Sequence, residues 1–414
     1  MNIIALNSVH NGSTGNIMRR IAKCARENGA EVITFSTYNY SISRNIADIF
    51  KNEQLPELEG HIYYGSKVER AFHVIAGILT GFNGYFSFFS TLRLLRKIKT
   101  VKPDIIHLHN IHQYCINFPL LFNYINKKKI KVVWTFHDCW PITGHCAHFD
   151  MVNCEKWKTG CNHCPIYQYY PKSIWDNSKI MYRKKRELFS SIDDLTIVTP
   201  SNWLNNIVSK SYLKEKTIVT IHNGINLEVF KPIRTEKRNE KCILLGVASS
   251  WDETKGLDVF IRLAETLPME KYEIIMVGTN ETIDRMIPKS IISVHKTDNQ
   301  DELAKIYSRA DYFINPTRED TFPTVNIEAL ACGTPVITYD TGGSPEIIDS
   351  SCGIIIKKND EDCLIKTILC LGNKPCFTVE ACRRRAMLFN ENNLFESYFQ
   401  LYLKLCQANQ CEDK

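Results

Sequence analysis

Short apolar runs recur along the chain, separated by stretches whose apolar residues fall at helical spacing. In the first half these runs are NIIAL, DIIHLH, KVVWTFH and LTIVTP, and NIIAL leads through a glycine-containing loop into the helix-like IMRRIAKCAREN. In the second half CILLGVAS, YEIIMVG, DYFINP and PVITYD repeat the pattern. Near-continuous apolar strands alternating with helices predict parallel sheets covered on both faces. Two such sets in 414 residues, more than one ordinary core holds, predict two Rossmann-like α/β domains. The expected divisions are 1–205, 206–392 and a terminal segment 393–414. That last segment contains LFESYFQLYLKLCQ, whose helical period suits a helix folding back across the domain junction.

Residues 71–92, AFHVIAGILTGFNGYFSFFSTL, interrupt the rhythm with no Asp, Glu, Lys or Arg, and Arg93, Arg96, Lys97 and Lys99 follow. The length would allow a membrane span, but Gly77, Gly81, Asn83 and Gly84 break it. A buried helix pair is one reading, and an aromatic interfacial hairpin with a basic end is the other. The amino terminus lacks the basic region, long apolar stretch and small-residue site of a secretory signal, so the expected location is the cytoplasm, and the aromatic segment 71–92 with the basic excess of the first half suits a peripheral place at the inner face of the membrane. Charge is uneven. Residues 1–200 carry 25 Lys and Arg against 15 Asp and Glu, whereas residues 201–414 carry 26 against 30. Part of the excess lies in Lys127–Lys129 with Lys131 and in Arg183–Arg186, which read either as a solvated face or as a surface for an anionic partner.

The most specific block is DYFINPTREDTFPTVNIEALACGTPVITYDTGGSPEII. A strand ends at Pro316, an acidic loop carries Glu319 and Asp320, and Pro323 stands where a helix begins. The first turn, with Thr324 and Val325, offers backbone N–H groups to an anion at the carboxyl end of a parallel sheet. Asp320 and Glu328 are acceptor-only carboxylates placed to hold sugar and ribose hydroxyls on either side of a diphosphate.

This block resembles the signature of family-4 glycosyltransferases of the GT-B fold, in which two acidic residues separated by seven others precede Ala-x-Ala-x-Gly-x-Pro-Val. PDIIHLHNIH, VVWTFHD, IVTPSNWL, IHNGINLEVFKP and GVASSWDETKGLD agree with that family in order and spacing, over nearly the whole chain. The resemblance implies two facing Rossmann-like domains with parallel sheets and a cleft between them, and retaining transfer from a UDP- or GDP-sugar. It places Glu328 on the ribose, Asp320 near the sugar with Glu319 as a substitute, and Lys255 on the donor phosphates. It implies that His137 contacts the donor sugar, with Asp138 beside it in the catalytic set and Asn223 among the substrate-binding residues. An arginine common in the family five positions before Lys255 is replaced by Ser250, so another cation is expected to compensate. The resemblance to bacterial exopolysaccharide and colanic-acid-type members implies a saccharide acceptor, carried on a polyprenyl diphosphate at an anionic membrane surface.

Around these lie weaker signals. Gly12 and Gly15 in HNGSTGN allow close approach to a phosphate or acceptor. His109 is expected to line the site, and His107 and His112 to be structural. No catalytic metal is expected, because Lys255 and backbone dipoles can stabilise a leaving diphosphate, and no Asp-x-Asp triplet is present. A loop over 144–165 contains Cys146, Cys154, Cys161 and Cys164, spaced Cys-x7-Cys-x6-Cys-x2-Cys, which suggests structural zinc or an iron–sulfur cluster, or else packed free thiols. Two other functions fit the architecture: a nucleotide-sugar epimerase or oxidoreductase, and a non-catalytic zinc-bearing binding module. No nucleic-acid partner is expected.

Overall fold

The computed structural model describes residues 1–37, 58–112, 114–233, 241–372 and 376–412, with side chains as far as residue 407. The chain divides into two units, one of Met1–Ile221 with Phe395–Lys414 and one of His222–Leu394. The first unit holds a seven-stranded sheet of β1 (Asn2–Leu6), β2 (Glu31–Ser36), β3 (His61–Tyr63), β4 (Ile105–Leu108), β5 (Lys131–Thr135), β6 (Leu195–Thr199) and β7 (Thr217–Thr220). Their order is β3-β2-β1-β4-β5-β6-β7, and every pairing is parallel. The second unit holds β8 (Cys242–Val247), β9 (Tyr272–Val277), β10 (Ile291–Val294), β11 (Tyr312–Asn315), β12 (Val336–Tyr339) and β13 (Gly353–Ile356). These are likewise parallel, in the order β10-β9-β8-β11-β12-β13.

The first unit extends past the expected boundary at 205 because β7 pairs with β6, Thr196 opposite Thr217. This edge strand is half exposed, although its Thr-Ile-Val-Thr run is the one that lies fully buried in β6.

Strand side chains alternate between faces, and each face of the first sheet has its own cover. On one side Ile106, Leu108, Val132 and Trp134 join Phe118, Phe122, Trp140 and Phe189. On the other, Ile3, Ile105, Val133 and Val198 meet Ile17 and Ile21 of the helix Gly12–Glu27. The same cluster takes in Phe395, Tyr398, Phe399 and Tyr402 of the terminal helix Glu391–Glu412. The Tyr402 hydroxyl lies 2.6 Å from His107 Nδ1, and His107 Nε2 lies 2.8 Å from Thr135 Oγ1. A buried imidazole at the centre of an apolar sheet is thereby paired at both nitrogens.

Segment 71–92 forms parts of two helices, Lys67–Thr80 and Phe88–Val101, joined through Gly81 and Gly84 at positive φ. A Cβ on Gly84 would sit 1.6 Å from the Phe118 ring, so only glycine lets the connection pass. No helix among the described residues is long and apolar enough to cross a membrane. The two basic clusters are not uniformly solvated. Lys185 is fully buried, and Lys131 is buried with its ammonium donating to the Leu405 carbonyl.

Removing the Tyr402 hydroxyl leaves one nitrogen of a dry imidazole unpaired. Tyr402→Phe should therefore lower the unfolding free energy by about 1–3 kcal/mol, read from urea denaturation followed by circular dichroism.

Candidate active site

In the second unit, the loops after β8, β11 and β12 leave the carboxyl edge of the sheet, where polar groups escape the double cover of helices. The loop after β8 begins its turn at Asp252, whose carboxylate accepts from the backbone N–H groups of Thr254 and Lys255. Gly256, at φ 77°, then passes so close to Pro316 that a Cβ would meet its ring at 2.5 Å. That approach sets Lys255 against the loop after β11. Lys255 Nζ donates to Asp320 Oδ2 at 2.7 Å, with longer contacts to Thr317 Oγ1 (3.5 Å) and the Glu319 carbonyl (3.4 Å). Asp320 accepts from the Phe322 N–H through its other oxygen. Gly342, in the loop after β12, lies where a Cβ would strike the Asp320 carbonyl at 1.7 Å. The three loops thus meet at Asp320.

The helix Thr324–Ala331 follows directly. Its N-cap, Pro323, supplies no side-chain acceptor to the first turn, which contains Thr324 and Val325. One turn further on, Glu328 accepts from the Tyr307 hydroxyl at 3.0 Å. Burial and then the Glu328 carboxylate push the Tyr307 phenol well above its ordinary pKa, so it stays a donor. Asn223 is buried in the segment preceding Gly224, and its neighbour His222 stacks on Phe322 with ring centroids 4.9 Å apart. Tyr307 and His222 are absent from the sequence reading. Tyr307 looks like an ordinary core aromatic, and His222 carries no spacing that sets it apart from the rest of its motif.

Arg318 also went unnoticed. It is buried, forms two 2.7 Å bonds with the Asp258 carboxylate, and reaches Glu253 O and Asn359 Oδ1. It ties the loops after β8 and β11 together. Its guanidinium is engaged by these partners, so it is not available as the compensating cation expected for Ser250. Its main partner lies 60 residues away in sequence, which leaves no local signal.

In the first unit, Gly12 starts the helix Gly12–Glu27 at φ 80°, and a Cβ on Gly15 would meet the His10 carbonyl at 2.3 Å. The loop after β1 folds back on that first turn, and Asn7 ties it to the loop after β4 by accepting from the Asn110 N–H. His109 and His137, following β4 and β5, stand ring to ring with His109 Nδ1 3.0 Å from His137 Nε2. Burial lowers both pKa values, that of His137 to about 4, so the pair is neutral at pH 7. The Asp138 carboxylate lies close enough to oppose the effect of burial on His137. Its oxygens pair with His112 Nε2 (2.8 Å) and the Trp140 N–H (2.9 Å), and despite burial the His112 contact holds it down at about 2. Asp138 thus also fastens the loop through His112 and the Trp140 N–H.

The cysteine loop packs beneath these residues. Cys146 and Cys164 are in hydrogen-bonding contact, and Cys161 Sγ accepts from the Gly144 N–H at 3.2 Å. Lys185 donates to the carbonyls of Trp140 (2.8 Å) and Thr143 (3.0 Å) and lies 3.2 Å over the Trp140 ring. The described cysteines are free thiols, and among the described residues no group of three or more His, Cys, Asp or Glu side chains is placed to hold a metal ion.

Residues 14–229, more than half of the chain, match the sequence profile of Glycosyltransferase Family 4, and residues 241–374 match Glycosyl transferases group 1. A putative colanic acid biosynthesis glycosyl transferase of Escherichia coli is 25% identical over 327 residues, 74% of this chain and 78% of the relative. An N,N'-diacetylbacillosaminyl-diphospho-undecaprenol α-1,3-N-acetylgalactosaminyltransferase of Campylobacter jejuni is 27% identical over 210 residues, 46% of this chain and 55% of the relative. Among solved structures, Anabaena HepE in complex with UDP-glucose superposes with a TM-score of 0.65 at 13% identity, covering 98% of this chain and 99% of that one. The fold is GT-B.

Burial lowers His73 and His107 to about 3 and His137 to about 4, against 6.5 for a free ring. Between pH 6.5 and those values the unfolded chain takes up protons that the folded chain refuses, so stability is complete above 6.5 and falls as pH drops through this window. Each ring contributes a slope of up to about 1.4 kcal/mol per pH unit. Thermal midpoints should be level above roughly pH 6.5 and decline below it; a level midpoint down to roughly pH 5 would show these rings titrating normally.

Proposed function

The chain belongs to glycosyltransferase family 4, and from that premise we propose that it transfers a sugar from a UDP- or GDP-sugar to a saccharide carried on a polyprenyl diphosphate, with retention at the anomeric carbon. Family membership sets aside the epimerase, oxidoreductase and binding-module readings. The observation that carries the proposal is the meeting of Lys255 and Asp320 beside the helix Thr324–Ala331. As the anomeric C–O bond to the diphosphate breaks, negative charge grows on the phosphate oxygens. The Lys255 ammonium and the first-turn N–H groups of Thr324 and Val325 are the groups to receive it. Asp320 positions Lys255 and accepts from sugar hydroxyls, with Glu319 alongside. Glu328, held by Tyr307, accepts from the ribose hydroxyls, and Asn223 belongs to the same substrate-binding set. His137, kept neutral and oriented by His109, contacts the sugar. The acceptor hydroxyl forms its bond on the face the diphosphate leaves, and its proton passes to the departing phosphate. This reading needs no catalytic metal.

For the acceptor, support comes from the relatives: one is named for colanic acid biosynthesis and the other for a substrate linked through diphosphate to undecaprenol. Gly12 and Gly15, where the loop after β1 crosses the helix start, are our candidates for the acceptor side. We place the reaction in bacterial surface polysaccharide synthesis such as capsule or exopolysaccharide, at the cytoplasmic face of the membrane.

For the cysteine loop, the support for zinc or an iron–sulfur cluster is the Cys-x2-Cys-Pro spacing and the N–H bond to Cys161. Binding an ion requires the four thiols to draw together from their described positions. Protein purified without chelators should carry about one metal equivalent, released by Cys161→Ser; elemental analysis finding neither zinc nor iron would leave the loop as packed thiols.

Lys255→Ala should lower kcat by roughly a hundredfold or more while donor affinity changes far less, because its charge matters most as the phosphate leaves. Glu328→Ala should do the reverse, weakening donor binding by about tenfold. A donor screen with steady-state kinetics and calorimetry checks both; a Lys255 defect confined to KM would contradict its role in the transition state.

A further inference from the structure

The helix Lys67–Thr80 has four exposed positions, and each is a large apolar residue: Val68, Phe72, Ile75 and Leu79. They recur at i, i+4, i+7 and i+11 and so form one outward stripe. An isolated exposed leucine is ordinary; a helix whose whole outer face is apolar is not. The stripe continues at both ends. Glu69, in the first turn, accepts from the Phe89 and Ser90 N–H groups and so brings the exposed Phe88 and Phe89 alongside. At the far end the Ile174 N–H donates to the Ile78 carbonyl, and Asn177 donates to the Thr80 carbonyl. These two bonds set the exposed Ile174 and Trp175 against the end of the same helix. Sequence spacing joins residues 68–89, but only the fold adds the segment around Trp175.

We infer that this face is where the first unit docks on an anionic lipid bilayer. The charge around it selects the occupant. Arg93, Arg96, Lys97 and Lys99 are exposed on the helix Phe88–Val101, and five exposed cations (Lys172, Lys179, Arg183, Lys184 and Arg186) outnumber the exposed Asp176 and Glu187, the latter paired with Arg183, on the segment that carries Trp175 and the helix after it. A second copy of the chain meeting this face about a two-fold axis would set these cations against themselves. A bilayer with acidic headgroups takes the apolar stripe and the aromatic rings at its interface and pairs with the basic rim. The helix then lies in the plane of the membrane, as its amphipathic build requires, and does not span it. The inference goes beyond the transfer reaction, and it is tested without donor or acceptor, so its failure leaves the transferase reading intact.

The test is co-flotation of the full chain with vesicles of phosphatidylcholine alone and of phosphatidylcholine mixed with phosphatidylglycerol. We expect binding to the mixed vesicles at low salt and its loss at high salt, because exposed charges are screened within a Debye length. The double variant F72S/L79S should weaken binding by roughly tenfold or more, and R93Q/R96Q/K97Q should weaken it and flatten its salt dependence. Lipids brominated in the acyl chain should quench part of the tryptophan fluorescence of the unaltered protein, and Trp175→Phe should remove that part. This last readout does not depend on how the double variant folds. Three results would each overturn the inference: no binding to mixed vesicles at low salt, bromine quenching unchanged by Trp175→Phe, or sedimentation showing that the face instead pairs two copies of the chain.

Discussion

A parallel sheet covered on both faces leaves its polar chemistry one favourable place, the ends of its strands. Both sheets of this protein obey that constraint. In the second unit the outcome is a junction of three loops at Asp320, made possible where Gly256 and Gly342 let backbones approach to distances a Cβ would forbid. Arg318 and Asp258 then fasten two of those loops. Lys255 is consequently held in position by its contacts with Asp320, Thr317 and the Glu319 carbonyl. A preorganised cation beside an uncapped helix start is suited to a leaving diphosphate, because little rearrangement remains to be done when charge develops.

The first unit uses its polar residues differently. Histidines stand inside or at the edge of its core, and burial keeps His73, His107, His109 and His137 neutral at pH 7. His107 is secured by Tyr402 and Thr135, His73 by Ser87 and the Gly84 N–H, and His112 by Asp138 and Tyr170. His109 and His137 instead share a bond with each other, just past the strand ends. The same chemistry thus serves as core mortar at one depth and as a candidate ligand-facing group at another. What separates the two roles is the partner: hydroxyl, carboxylate or backbone groups for His73, His107 and His112, and a second imidazole for His109 and His137.

Much of the fold was legible in the chain. The runs DIIHLH, KVVWTFH, CILLGVAS and DYFINP became β4, β5, β8 and β11 because fully buried strands need unbroken apolar sequence. The edge strand β7 repeats the Thr-Ile-Val-Thr of β6 but lies half exposed, and the boundary between units falls beyond it. Among the candidate residues, Lys255, Asp320 and Glu328 could be named from their motifs, since short loops at one sheet edge bring those motifs together. The pairing of Asp138 with His112 could not be read, because His112 belongs to another loop. Lys185 looked like one more solvated cation in a basic run until the helix Ser178–Ser190 turned it into the core.

The sequence by itself determined the two α/β sets, their strand order of appearance and the motif at Pro323 and Glu328, because periodicity and local turn chemistry act between near neighbours. It also determined the uncharged stretch at 71–92. Tertiary structure alone decided the partner of each cation, Asp320 for Lys255, Asp258 for Arg318 and the Trp140 carbonyl for Lys185, and which apolar residues remain outside, as in Phe72, Leu79 and Trp175. Those choices depend on pairings across tens to hundreds of residues and on which face of a helix meets the core, and neither is written in any local pattern.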